Sequence, residues 1–234
     1  MPELARGLDD ASRQLASRHA VASCLDLRRG KWLGTDEGAR EPGHLGLLVV
    51  DGFLAREVHL GDKSASELVG RGDLLRPADH DGNSAPVPFA VSWEVLAPVR
   101  LAVIDRRVAT TLAHWPEIVE QLVRTGVRRA QTLGLHLALC HLRRVEPRLE
   151  VLLWHLADRW GTVTPEGVHV PLKLTHRTLA MLVGAQRPSV TTALQALARD
   201  RRVTRRADGT WTLHGAAPDL DRLTREAPAV GAIT

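Results

Sequence analysis

The segment Leu179–Leu194, LAMLVGAQRPSVTTAL, has the pattern of two short helices joined by a tight turn. Gly184 stands where the first helix must end with a positive φ, which glycine adopts without steric cost. Apolar residues at helical spacing give each helix one inward face: Leu179, Leu182 and Val183 in the first, and Val190, Ala193, Leu194 and Leu197 in the second. This pattern is typical of a helix-turn-helix, and it predicts double-stranded DNA as the partner.

Length and composition limit the class of protein. The 234 residues suffice for one large or two ordinary domains, and the longest apolar runs are far too short to cross a bilayer. The first residues mix acids and bases with short apolar pieces, unlike a secretory signal. Two widely separated cysteines, Cys24 and Cys140, exclude a disulfide framework within one chain. We therefore expect a cytoplasmic protein with free thiols and no membrane partner.

Basic residues are in excess near the C-terminus. Between Val145 and His214, ten Lys and Arg stand against six Asp and Glu, a net charge of +4 that equals the formal net charge of the whole chain. A basic segment of this kind fits a phosphate backbone. A solvated arginine-rich surface would give the same count, so charge alone does not identify the partner.

The first half of the chain has the pattern of a β domain. From about Leu25 to Asp105, short apolar runs alternate with Gly, Pro and Asp turns, which predicts a small antiparallel barrel or sandwich. Asp51-Gly52 lies between two apolar runs and predicts a hairpin there. The predicted strands are Leu45–Val50, Phe53–Leu60, Ser66–Val69, Phe89–Val95 and Val99–Ile104, and Arg76–Pro88 is a predicted loop.

The pattern becomes helical after Arg106. Arg106–His114 predicts a short helix, and residues 117–143 predict a long one. Close to seven-residue spacing gives the long helix a stripe that suits a two-helix seam: Leu122, Gly126, Arg129 or Ala130, Leu133, Leu137 and Cys140. We expect a homodimer through this helix, although a helix packed on its own domain would carry a similar stripe.

Two other kinds of site have little support. His136 and Cys140 have the i, i+4 spacing of metal ligands, but a complete site needs more donors, so we expect no metal. No nucleophile–base arrangement or phosphate-binding glycine loop is present in the sequence, so we do not expect an enzyme.

The last third of the chain predicts a winged helix-turn-helix. Arg148–Arg159 is a predicted helix that Gly161 ends, and a short strand at Val168–Leu172 precedes the two helices of the motif. Arg202–Arg206 and Thr210–His214 flank a turn and predict a hairpin, the wing.

The order of these parts resembles the Crp/Fnr family of bacterial transcription regulators over nearly the whole chain. The motifs that carry the resemblance are Gly70–Leu75, Ala97–Asp105, Leu174–Ala180 and Gly184–Val190. It implies an α+β fold with RNA polymerase as a candidate further partner. The domains would be an N-terminal antiparallel β-barrel or jelly-roll sensor domain (1–105), a helical linker and dimerisation helix (106–144), a winged helix-turn-helix (145–215) and a C-terminal tail (216–234).

The resemblance also assigns roles to residues of the motif. Thr175 matches the N-cap and phosphate contact of the first motif helix, and Arg187 matches the arginine that reads guanine through O6 and N7. Arginines of the wing would add salt-dependent affinity that is independent of sequence. The candidate DNA-binding residues are Thr175, Arg177, Gln186, Arg187, Ser189, Thr191, Thr192, Arg205 and Arg206.

Two departures from the family pattern affect function. Cyclic-nucleotide binders hold their ligand with a Gly-Glu turn and an Arg-Ser/Thr pair, whereas the equivalent stretch here carries Asp79 and Asp81 and no interior arginine. Carboxylates would repel a cyclic phosphate, so we expect an effector other than cyclic AMP, or none, and no cofactor. Pro188 and Thr192 replace a glutamate and an arginine of familiar members, so the preferred DNA sequence should differ.

The sequence therefore favours a homodimeric, sequence-specific DNA-binding transcription regulator. The alternative is an architectural protein that binds DNA with little sequence preference. A third hypothesis is a sensor of a ligand or metal whose DNA contact is vestigial.

Overall fold

The computed structural model describes residues 4–34, 42–77 and 87–219. The chain forms two compact units, Met1–Leu133 and Gly134–Thr234, and the division falls inside one long helix. The four-part division of the chain into 1–105, 106–144, 145–215 and 216–234 stays a prediction. Asp79 and Asp81 lie outside the described residues, as does the tail from residue 220 onward.

The first unit contains one antiparallel sheet. A short helix, α1 (Asp10–His19), precedes it and begins at Asp9, whose carboxylate accepts a hydrogen bond from Ser12 N at 2.7 Å. The strands are β1 (Cys24–Leu27), β2 (Gly30–Trp32), β3 (Gly46–Leu60), β4 (Lys63–Gly70), β5 (Leu74–Leu75) and β6 (Ala90–Ile104). Their order is β1-β6-β3-β4, with β2 on β6 and β5 on β3. Within the described residues these strands form an open sheet of jelly-roll or sandwich type. The predicted fold class is confirmed, although the sheet does not close into a barrel.

The hairpin predicted at Asp51-Gly52 is wrong. β3 runs through both residues, and its register against β6 shifts around Asp51 and Phe53, as at a β-bulge. Gly52 has φ +87°, and a Cβ there would lie 2.1 Å from the carbonyl oxygen of Pro98. The glycine is therefore required by the close approach of two strands and not by a chain reversal.

The chain reverses direction at the next Gly-Asp pair, Gly61-Asp62. Leu60 pairs with Lys63 across Gly61-Asp62, and Gly61 has the positive φ of +58° that a two-residue hairpin loop requires. The two predicted strands Phe89–Val95 and Val99–Ile104 are likewise parts of one strand, β6, in which Ala97 pairs with Phe53 of β3 at the bulge.

Two helices follow the sheet. α2 (Arg106–Leu112) begins at Asp105, which accepts from Val108 N at 2.7 Å, and α3 (Pro116–His141) is the predicted long helix. The predicted stripe on α3 needs correction at two positions. Leu122 is buried in the core of the first unit, and Arg129 forms an ion pair with the buried Glu67, so neither faces away from the unit.

The exposed apolar face of α3 lies on the side of the helix away from Leu122 and Arg129. Val123 is 62% exposed and Leu137 is 70% exposed, far more than side chains of a packed helix face. With spacings of four and three residues, the face reads Val119, Val123, Gly126, Ala130, Leu133, Leu137 and Cys140. That alternation is a heptad pattern over three repeats.

The second unit packs three helices with a small sheet. It comprises α4 (Val145–Trp160), β7 (Thr162–Thr164), β8 (Gly167–Val170), α5 (His176–Leu182), α6 (Arg187–Arg199), β9 (Val203–Arg205) and β10 (Trp211–Leu213). The sheet order is β7-β8-β10-β9, so the predicted wing hairpin is β9–β10. β7 was not predicted, since it is three residues long and its central Val163 is 83% exposed.

Two further features, a membrane-spanning helix and a metal-binding cluster, are absent from the part of the chain that the structure describes. Among residues 4–34, 42–77 and 87–219, no helix is long and apolar enough to span a membrane. Within the same ranges, no three His, Cys, Asp or Glu side chains lie together as potential metal ligands.

Candidate DNA interface

The first helix of the motif begins at Thr175, as predicted. Its Oγ1 accepts a hydrogen bond from Thr178 N at 3.1 Å, which satisfies one of the free amide groups at the start of α5. The side chains of Thr175 and Arg177 remain exposed beside this N-terminus.

The turn between α5 and α6 is a Schellman motif. Gly184 has φ +60°, and Ala185 N donates to the carbonyl oxygen of Ala180 at 2.9 Å. The predicted role of Gly184 is confirmed. A Cβ at this position would also lie 3.2 Å from the sulfur of the exposed Cys140, a tight contact that a small shift of that side chain would relieve.

One arginine outside the motif stabilises the turn. Arg148 in α4 donates to the carbonyl oxygens of Val183 at 3.2 Å and Gly184 at 3.3 Å, at the end of α5. The same guanidinium donates through Nε to Leu142 O at 2.6 Å, just after α3. A fixed fork of donors can satisfy three carbonyl groups in this way, whereas a lysine ammonium could not match the geometry.

α6 presents an open N-terminus. Its inward stripe is buried as predicted, and Pro188 lies in its first turn, where its missing N–H costs nothing. Among the described residues, no side-chain hydrogen bond from Gln186 caps the helix. The first turn, Arg187–Val190, carries no acidic side chain, so the positive end of the helix dipole is available to an anion.

A concave pocket of about 320 Å³ lies where the start of α5, the start of α6 and the wing meet. Its lining residues are Thr175, His176, Arg177, Arg187 and Arg205. Four of the nine candidate residues are therefore brought together around one positively charged depression. Its size and charge suit phosphate groups and base edges better than an apolar ligand.

The two wing arginines differ in their surroundings. Arg205 points its guanidinium at the ring of Trp211, 5.7 Å from the centroid, and lines the pocket. Arg206 lies outside the pocket lining, with Nη1 3.4 Å from the carboxylate of Glu166. Both side chains of that pair are solvated, so the ion pair is weak and Arg206 keeps some freedom to contact DNA.

The remaining candidates lie along α6. Gln186, Ser189 and Thr192 are exposed, and Thr191 is half-buried. The Thr191 hydroxyl donates to Arg187 O at 3.1 Å, and the Thr192 hydroxyl donates to Pro188 O at 3.3 Å. Both threonines thus satisfy their own hydroxyl protons within the helix.

The sequence interpretation missed His176. Its Nδ1 lies 2.9 Å from Thr191 Oγ1, so it connects α5 to α6 inside the pocket. Burial lowers the pKa of His176, and the positive charges of Arg205 and Arg187 lower that pKa further. Its position between Thr175 and Arg177, two residues already assigned to the interface, was the feature of the sequence that could have identified it.

These features together define a winged helix-turn-helix DNA-binding protein. A family model described as the Crp-like helix-turn-helix domain matches residues 147–225. The CRP-like cAMP-activated global transcriptional regulator of Mycobacterium tuberculosis is 32% identical over 194 residues, which cover 80% of this chain and 81% of that protein. The HTH-type transcriptional regulator Cmr of the same species is 26% identical over 136 residues, covering 56% of this chain and 52% of that one.

Solved structures show the same fold. A CooA mutant from Carboxydothermus hydrogenoformans has a TM-score of 0.63 at 16% identity, covering 88% of this chain and 87% of that one. FixK2 from Bradyrhizobium japonicum has a TM-score of 0.62 at 16% identity, covering 90% and 100%.

The chain belongs to the Crp/Fnr family of DNA-binding transcription regulators. This assignment confirms the family and the general function predicted from the sequence. It favours a regulator over the architectural alternative and over a sensor with a vestigial DNA contact.

Proposed function

We propose that α6 reads base edges in the major groove while the start of α5 and the wing hold the phosphate backbone. The main support for this proposal is that Arg177, Arg187 and Arg205 line one pocket beside the open N-terminus of α6. Arg187 at the first position of α6 pairs with guanine O6 and N7. Ser189, Thr191 and Thr192 complete the reading surface, and Thr175, Arg177, Gln186, Arg205 and Arg206 contact the backbone.

We propose that the protein acts as a homodimer through α3. The exposed heptad face of α3 would leave a long apolar stripe in water unless a second copy covered it. Small residues at Gly126 and Ala130 allow the two helices to approach closely. A dimer places two recognition helices on two half-sites about one helical turn of DNA apart.

Binding to random and palindromic duplexes at two salt concentrations tests the proposed function. If Arg177, Arg205 and Arg206 of each protomer contact phosphates, affinity for random DNA should fall about a thousandfold between about 50 and 200 mM salt. The palindromic duplex selected from a random pool should bind more tightly than random DNA at both concentrations. Fluorescence anisotropy titrations measure both quantities, and equal affinity for the two duplexes would contradict a sequence-specific regulator.

We propose that the sensor domain responds to an effector other than cyclic AMP, or to none. The relative from M. tuberculosis is described as cAMP-activated, but the stretch 76–88 of this chain has no interior arginine to hold a cyclic phosphate. The carboxylate of Asp73, in the turn before this stretch, accepts a hydrogen bond from Gly70 N at 2.9 Å. That bond commits Asp73 to the turn itself.

Cyclic AMP is expected to leave the thermal stability of the protein unchanged. A ligand at a hundred times its Kd would stabilise the native state by about 2.7 kcal/mol, which would raise Tm by about 5–10 °C. Differential scanning fluorimetry with and without millimolar cyclic AMP measures this shift. A concentration-dependent rise in Tm would overturn the interpretation of residues 76–88, and 5′-AMP serves as the matched control.

Further roles follow from a DNA-bound regulator. We propose that the protein works in the cytoplasm, catalyses no reaction, and acts on transcription through RNA polymerase. In vitro transcription from a template carrying the selected palindrome tests the last point, since the transcript level should change with protein only when the palindrome is present.

A further inference from the structure

A chain of hydrogen bonds at the pocket joins His176, Thr191 and Arg187. His176 Nδ1 lies 2.9 Å from Thr191 Oγ1, and the Thr191 hydroxyl lies 3.1 Å from the carbonyl oxygen of Arg187. The chain thus ties the first residue of α5 to the first turn of α6, next to the arginine that reads guanine.

The protons of this chain can be assigned. A threonine hydroxyl carries one hydrogen, and the Arg187 carbonyl can only accept it. Thr191 Oγ1 must therefore accept from His176, whose Nδ1 carries the hydrogen of the neutral ring. Burial and the facing guanidinium groups of Arg205 and Arg187 lower the pKa of His176, which favours the neutral ring, and Arg177 adds positive charge to the same pocket.

This arrangement fixes which part of Thr191 remains for DNA. Its oxygen is held by one bond from His176 and one bond to the carbonyl of Arg187. The Cγ2 methyl group has no such tether and is the remaining contact group of the side chain. A threonine methyl suits the C5-methyl group of thymine, the apolar feature of the major groove.

We propose that Thr191 recognises a thymine methyl group in each half-site and that His176 is the positioning residue that sets its rotamer. The inference rests on the proposed function, because it assumes that α6 lies in the major groove. It also supplies a determinant of sequence preference at a point where Pro188 and Thr192 depart from the family pattern.

Replacement of thymine by uracil tests the methyl contact directly. The probe is the tightest palindromic duplex recovered from a random pool, with each symmetric thymine pair replaced in turn by uracil. We expect one such replacement to weaken binding of the wild type about fourfold per half-site, the value of one buried methyl group. Thr191→Ser, which keeps the hydroxyl and lacks the methyl, should bind the thymine and uracil duplexes equally.

Variants of His176 test the positioning role. His176→Leu removes the donor, so the uracil effect should fall below about twofold as the Thr191 side chain rotates. His176→Asn places an amide N–H near the position of Nδ1 and should restore the effect. Thr110→Ser is the matched control, because Thr110 lies in α2 outside the candidate interface and its hydroxyl likewise donates to the carbonyl oxygen four residues earlier, Arg106 O, at 2.9 Å. This variant should keep the wild-type uracil effect.

The outcomes separate this inference from the proposed function. If the wild type does not prefer the palindrome to random DNA, the proposed function fails before any variant is made. If it does, then a wild type insensitive to every thymine replacement, or a Thr191→Ser variant that stays sensitive, overturns the methyl contact. Equal defects in His176→Asn and His176→Leu, with thermal unfolding unchanged, would show that the ring contacts DNA itself and would overturn the positioning role.

Discussion

The Leu137→Asp variant is expected to be monomeric and to bind a palindromic duplex at least a hundredfold more weakly than the wild type, on the order expected when two linked contacts become one. Leu137 is 70% exposed on the heptad face of α3, so the substitution leaves its own unit intact. In a dimer the same position would bring two carboxylates together on the seam. Sedimentation velocity measures the mass, and anisotropy titration measures the affinity.

Gln131→Asp is the matched control for this experiment. Gln131 lies on the same helix and is exposed, but it stands outside the heptad face. The variant adds the same charge and should remain dimeric with wild-type affinity. A dimeric Leu137→Asp variant would contradict the α3 interface, whereas loss of the dimer in both variants would point to a general effect of charge.

The Arg187→Ala variant is expected to lose about tenfold or more in its preference for the selected duplex over random DNA. A bidentate arginine–guanine pair discriminates between bases, whereas the other pocket arginines bind the backbone of any sequence. Affinity for random DNA should therefore fall much less. Competition titrations against random duplex measure the ratio of the two affinities.

Arg199→Ala provides the comparison on the same helix. Arg199 is exposed in the last turn of α6, at the end opposite Arg187. Its removal takes away the same charge and should leave the preference for the selected duplex unchanged. An unchanged preference in Arg187→Ala would show that this residue does not read the base.

The local features of the motif were predictable because short-range physical chemistry determines them. Gly184 ends α5 with a positive φ, Thr175 caps the N-terminus of α5, and the apolar residues of α6 are spaced so that one face of the helix is buried. Each of these features depends on residues within a few positions of each other. The order of the parts followed from the sequence patterns, and the family resemblance supplied the roles of individual residues.

Features that depend on distant residues were predicted less well. Asp51-Gly52 has the composition of a hairpin turn, but the nearby carbonyl of Pro98 decides that it is a bulge. The stripe on α3 was drawn partly through residues that face the first unit, because Leu122 packs in its core and Arg129 pairs with Glu67. A helical period alone does not say which of two apolar faces packs on the chain itself.

The candidate interface shows the same limit. The sequence treats Arg205 and Arg206 alike, whereas the fold directs Arg205 to the pocket and Arg206 toward Glu166. The link between His176 and Thr191 joins residues that are 15 positions apart, and it becomes visible when α5 and α6 are packed together.

The guanidinium of Arg148 has a consequence for how the DNA preference of such a chain can diverge. The carbonyl groups of Val183 and Gly184 are satisfied from α4, so no side chain at Ala185 or Gln186 is needed to supply those two hydrogen bonds. Residues at the entrance to α6 can therefore be exchanged at small cost in folding free energy. The preferred DNA sequence can therefore change while Arg148 in α4 continues to hold the turn that presents α6.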